Sequence, residues 1–143
     1  MTMFNSIYAA ASIAVLAVAV PVAAQTAAIG PAEAIAGSAA SPRGEIEATV
    51  EFVVGSTGES GFNVYLNSEA DFRSPANFTA QLVPETTNAL RAKSGGHPVD
   101  TMKGKRVRVT GVVRRIAVPT RDGGTTHQTR IEISSPSQIE ILG

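Results

Sequence analysis

The sequence contains no cysteine. A disulfide framework, a thiolate zinc site and a cysteine nucleophile are all excluded. Histidine is nearly absent: His97 and His127 are the two, and they lack a ligand spacing such as His-x-x-x-His. An imidazole-built catalytic metal site therefore has no basis, and no metal or other cofactor is expected. Formal net charge is zero and aromatic residues make up 5% of the chain, which sets aside a strongly cationic nucleic-acid coat protein. Lys103-Gly104-Lys105 has no glycine-rich loop before it, so it is not a phosphate-binding P-loop, and Glu59, Glu69 and Asp71 lack calcium-loop spacing. Ser134, Ser135 and Ser137 flank a turn proline with no histidine nearby in sequence to activate them.

What is present is one domain's worth of chain, 143 residues with 43% hydrophobic content, too apolar for general disorder. Residues 1–24 read as an export signal. Ala9 to Val20 is an apolar run, suited to a signal h-region and short for a membrane span. Val22 and Ala24 then provide small residues at the minus-three and minus-one places before Gln25. The segment before the run has no lysine or arginine, and an uncleaved membrane anchor is the alternative. Residues 25–42 are rich in alanine, glycine, serine and proline, and are expected to be a flexible linker. The ordered domain is expected over residues 43–143.

Alternation marks the strands of that domain. Ile46, Ala48, Val50, Phe52 and Val54 share one face, with Glu45, Glu47 and Glu51 on the other. After a turn at GSTGESG, Phe62, Val64 and Leu66 point inward and Asn63, Tyr65 and Asn67 outward. A longer connection, SEADFRSP, leads to a third strand with Phe78, Ala80 and Leu82 inside and Thr79 and Gln81 outside. The period then changes. Pro84 suits a first helical position, Glu85 the first turn, Arg91 and Lys93 the last turn, and Gly95-Gly96 the end. KGKRVRVTGVVRR sets Val107, Val109 and Val113 against Arg106, Arg108 and Thr110, and RDGGTT turns the chain into a last strand carrying Ile131 and Ile133. Ile139 and Ile141 repeat the alternation after Ser-Ser-Pro-Ser.

The resulting order, β-β-β-α-β-β, predicts an all-β domain with one short helix, the order of the five-stranded OB-fold barrel. The stretches FNVYLN, NFTAQL, KGKRVRVTGVV and RIEISSPSQIEIL carry a resemblance as well. From about Glu45 to Leu142 the chain resembles small exported bacterial OB-fold domains of the nucleic-acid-binding OB superfamily. These motifs are core positions and turns, and specify no chemistry.

An OB barrel presents ligands on the face of its second and third strands, flanked by its first and fourth loops. That places Asn63, Tyr65, Asn67 and Gln81 as candidate binding residues, with Tyr65 the one outward aromatic on a strand and Phe72 a second on a loop. Acidic residues crowd the first third of the domain and basic ones the later part. Arg106 and Arg108 are expected to pair internally with Glu45, Glu47 or Glu51, because strand one of an OB barrel lies beside strand four. Arg73, Arg114, Arg115 and Arg121 are the candidates for contact with a polyanion.

The expected function is an exported, non-enzymatic binding module, periplasmic or secreted, for single-stranded nucleic acid or another polyanion. The alternative is an envelope protein-interaction domain with no nucleic-acid role, and a small hydrolase or nuclease stands third. Contact with the membrane is expected only through the export signal.

Overall fold

Each alternating stretch of the sequence becomes a strand in the computed structural model, which describes residues 27–143. The export signal expected over residues 1–24 lies outside the described residues. In chain order the elements are α1 (Pro31–Ala40), β1 (Glu45–Val53), β2 (Ser56–Ser60), β3 (Asn63–Asn67), β4 (Phe78–Leu82), α2 (Pro84–Ser94), α3 (Pro98–Thr101), β5 (Arg106–Pro119), β6 (Thr125–Ile133) and β7 (Ile139–Ile141), with a 3₁₀ turn at Pro136–Gln138. Seven strands, rather than five, make one sheet in the order β1-β5-β6-β4-β3-β2, with β7 also paired to β5. All pairs are antiparallel except β4 with β6.

The two additional strands have simple origins. GSTGESG, expected as a turn, contains β2, because Ser56 to Ser60 pair with Asn67 to Asn63. Between β1 and β2 stand only Val54 and Gly55. Gly55 lets the chain bend against the backbone of the neighbouring loop: an added Cβ would stand 2.7 Å from the Ser68 carbonyl oxygen. At the other end, β7 returns to β5 after the 3₁₀ turn. The sheet is open, since β1 and β2 occupy its two ends and do not pair with one another. Its ends are nonetheless successive in the chain, an OB-like order of the partly open kind.

The inward residues make a single core. Val50, Val64, Leu66, Phe78, Leu82, Val107, Val109, Val113, Ile131 and Ile133 are all essentially fully buried. Phe52 meets Phe78 edge to face, with ring centres 5.5 Å apart, a favoured aromatic geometry. Phe62 departs from the expected inward pattern. It is 88% exposed, because strand pairing begins only at Asn63 and Phe62 stays in the tight turn.

The helices close the ends. The capping pattern of α2 is the one the sequence predicts, with Pro84 in the first turn and Gly95 left-handed at its end. Thr86 donates to the Ile133 carbonyl, tying α2 to the end of β6. Within the stretch expected as a flexible linker, the structure holds α1. Alanine is the strongest helix former, and Pro31 and Glu33 suit the first turn. The helix packs through small side chains: Ala34 and Ser38 are fully buried, and the α-carbon of Gly37 leaves room for Ile46, whose Cδ1 lies 2.8 Å from where a Cβ would stand. Ile29 bonds both ways with the outer edge of β1, its N–H to Thr49 and its carbonyl from Glu51. That edge is thereby covered.

Candidate functional site

The pleat of β3 sends Tyr65 and Asn67 to the outer face of the sheet, beside Gln81 and Thr79 of β4. The parallel pairing of β4 with β6 then sets Arg130 next to Thr79. These strands wall a cleft of about 280 Å³, closed by Phe72 on the β3–β4 loop and by Gly58 and Ser60 on β2, with Gln128 beside Arg130. Gly58 faces Tyr65 across the β2–β3 pair and has no side chain to cover the ring.

Arg130 is the cation of the cleft. Its guanidinium carbon lies 5.7 Å from the centre of the Tyr65 ring, within the range of a cation–π contact. It donates to Gln128 Oε1 through Nε at 3.1 Å and Nη2 at 2.6 Å. Among the described residues no carboxylate forms an ion pair with it. Half-buried, it places a positive charge in the cleft wall, which also holds the Glu59 carboxylate.

Beneath the ring lies a buried polar row. Asn67 and Thr79, expected to face water, are 4% and 5% exposed, because the β3–β4 loop folds over them. Asn77 explains that loop. It accepts the Glu69 N–H at Oδ1 and donates through Nδ2 to Thr79 Oγ1 and the Phe72 carbonyl. Thr79 in turn donates to Asn67 Oδ1 at 2.8 Å. Phe72 is held out at 51% exposure, with the Arg73 guanidinium 5.5 Å from its ring centre. Arg73 also approaches Asp71 at 3.9 Å.

The structure gathers Tyr65 and Asn67 into the cleft with Phe72, while Gln81 stands beside Tyr65 outside its lining. Asn63 faces Ser60 at the start of β3. Arg73 is on the loop rim. Arg114 is a cross-strand neighbour of Arg130 but pairs with Glu45 at 3.5 Å. Arg115 and Arg121 are exposed on the long β5–β6 hairpin, Arg121 at its turn. Arg106 and Arg108 both reach Glu51, at 3.4 and 3.2 Å, and Arg108 also reaches Glu140 at 3.7 Å. These two pair internally, as strand register predicts. Arg130 and Gln128 were not among the residues the sequence singles out. The alternation of Ile131 and Ile133 places Arg130 outward, but only the β4–β6 pairing brings it to Tyr65.

Glu59 enters the wall of the cleft from β2, and its carboxylate accepts a hydrogen bond from His97 Nε2 at 3.1 Å. His97 Nδ1 accepts the Val99 N–H, so the neutral ring carries its proton on Nε2 and donates it to Glu59. Among the described residues no group of three His, Asp or Glu side chains is placed to hold a metal ion.

Neither a protein-family model nor a curated protein sequence matches the chain. Solved structures match parts of the chain at low identity. A mitochondrial single-stranded DNA binding protein of S. cerevisiae, Rim1, shares 12% identity at a TM-score of 0.42, over 68% of this chain and 91% of its own. The p204 HINb domain shares 16% at 0.41, over 76% of this chain and 45% of its own. An aspartyl tRNA synthetase of Entamoeba histolytica shares 12% at 0.40, over 68% of this chain and 18% of its own.

Proposed function

We propose that this chain is an exported, non-enzymatic binding module that takes single-stranded nucleic acid across the β3–β4–β6 face. One observation carries the reading: Arg130, half-buried against Tyr65 and without a carboxylate partner among the described residues, offers a fixed cation beside an aromatic platform. Phosphate needs the first and a base the second. Arg73, Arg115 and Arg121 extend the positive rim toward the loops that flank this face in OB barrels. The lining suits binding: Ser60, Asn67, Thr79 and Gln128 offer neutral polar groups, and Glu59, the one carboxylate in the wall among the described residues, is engaged by His97. Export follows in this reading from the apolar run Ala9 to Val20 and the small residues before Gln25.

The test is titration of a labelled single-stranded oligonucleotide with the wild-type chain and with Arg130→Gln. The reading predicts saturable binding that the substitution weakens with the thermal midpoint little changed. Equal affinities would remove Arg130 from the site.

A second reading, an envelope protein partner, is favoured by another feature. Among the described residues β7 pairs only with β5, and it borders a groove of about 480 Å³ lined by Leu90, Met102, Ile139 and Ile141 with Lys93 and Lys105. An open edge is a template for an added strand. Insensitivity of partner binding to salt would point there.

A further inference from the structure

The ladder between β5 and β7 fixes which way the β7 main chain points. The Leu142 N–H donates to the Arg106 carbonyl at 2.8 Å, one place beyond the pair of Val107 with Ile141. Directly opposed residues of antiparallel strands alternate between bonded and unbonded pairs. Arg108 and Glu140 therefore form the next bonded pair, and the main-chain groups of Ile139 and Ile141 face away from β5. The Ile139 N–H is used within the 3₁₀ turn, where it donates to the Pro136 carbonyl. That leaves the Ile139 carbonyl and both main-chain groups of Ile141 without a hydrogen-bond partner among the described residues. An N–H and a carbonyl presented together on one residue are what an added strand pairs with.

The groove beside this edge sets the chemistry of such a strand. Its floor is closed, for Leu90 is 2% exposed and Met102 fully buried. Ile141, half-buried, is the apolar surface that a ligand can touch. Among the described residues no aromatic side chain lines the groove, so a base has no platform there. Lys93 near the end of α2 and Lys105 just before β5 stand exposed on its walls, and neither forms an ion pair among the described residues. Glu140, the carboxylate of the groove, approaches Arg108 at 3.7 Å. A second copy of this chain, paired edge to edge, would set these lysines against their own counterparts. The charge fits an acidic strand instead. Three residues of edge offer few main-chain bonds, so the wall side chains decide which sequences stay.

We propose that the β7 edge takes an extended peptide carrying acidic side chains, paired through Ile141 and selected by Lys93 and Lys105. This rests on the protein-partner reading and names the chemistry of that partner. The groove shares no lining residue with the cleft, so the nucleic-acid reading stands or falls separately. The lysine contacts are exposed and add little to affinity, which keeps binding of such a partner nearly flat with salt.

The experiment is a titration of the full, isotope-labelled chain with a hexapeptide alternating valine and glutamate, followed by amide NMR. Its controls are a hexapeptide alternating valine and lysine, and the glutamate peptide N-methylated at every residue, which cannot donate to a strand edge. The expected result is saturable binding of the glutamate peptide, slower hydrogen exchange at Ile141, and no binding of the methylated form. The glutamate peptide should bind more tightly than the lysine peptide by roughly fivefold or more, the effect of two exposed ion pairs against two like-charge contacts. A Lys93→Glu, Lys105→Glu double variant, changed only at exposed positions, should reverse that order. Binding of the methylated peptide, or unchanged exchange at Ile141, would overturn the strand pairing. Equal affinities for the glutamate and lysine peptides would overturn the acidic selection and leave a protein partner in place. Absence of binding by all three peptides would overturn both. Shifts at Ile141 and Lys105 produced by a single-stranded oligonucleotide, and by none of the peptides, would assign the groove to nucleic acid and overturn the proposal.

Discussion

Arg130 and Tyr65, on strands that do not pair with each other, meet with the guanidinium carbon 5.7 Å from the ring centre. β4 lies between them, and Thr79 on that strand is the neighbour that brings Arg130 into reach. The contact holds the ring at the cleft while leaving the guanidinium only partly used.

Tyr65→Ala is expected to weaken oligonucleotide binding by about 1–3 kcal/mol, the stacking contribution of one base on an aromatic side chain. Tyr65→Phe should retain nearly all of it, because the ring and not the hydroxyl makes the platform. Titration of both variants against one oligomer checks this, and equal losses for the two would point to the hydroxyl.

Asn77 is 7% exposed and bonds to Glu69, Phe72 and Thr79 at once. Asn77→Ala leaves the Glu69 N–H without its acceptor and frees the β3–β4 loop, at a cost of about 1–3 kcal/mol. Chemical denaturation measures the loss, and an unchanged midpoint would show that the row does not hold the loop.

Gly55→Ala places a methyl group against the backbone at Ser68 and Glu69, which cannot move aside as a flexible side chain would. Overpacking of this kind costs about 1–3 kcal/mol. The thermal midpoint should fall, with secondary structure by circular dichroism preserved.

The pH dependence has one clear contributor. Bonds from the Thr120 hydroxyl and from the backbone N–H of Gly124 hold the Asp122 carboxyl below the ordinary carboxylate range. A folded-state value lower than the unfolded one stabilises the fold above the unfolded pKa, and that contribution is lost as pH falls through the folded value. Side-chain NMR titration should show Asp122 protonating at lower pH than a free aspartate. Asp122→Asn should remove this part of the acid dependence and alter the β5–β6 turn alone.

Much of this fold was legible because its strands alternate cleanly. Val107, Val109 and Val113 against Arg106 and Arg108 predict both a strand and pairing with an acid of β1, left open among Glu45, Glu47 and Glu51, which register resolves to Glu51. α2 was legible from Pro84 and Gly95. α1 was not, because a helix that buries Ala34, Gly37 and Ser38 shows no stripe of large apolar residues. Its contact depends on close approach rather than on side-chain area. For the site, period-two alternation places Tyr65 and Asn67 on the outer face but cannot tell that the loop carrying Asn77 folds over Asn67. Arg130 was missed for a related reason: its neighbour Thr79 is brought to it by parallel pairing between distant segments. Arg114 reads as a free cation until register sets Glu45 opposite it.

The most direct measurement is anisotropy of a labelled single-stranded oligonucleotide with the full chain across a series of salt concentrations. A cleft cation and basic rim that meet phosphates predict saturable binding whose log affinity falls linearly with log salt, by about 0.7 for each phosphate contacted. Absence of saturable binding at low salt, where charges are least screened, would contradict the nucleic-acid role of this face.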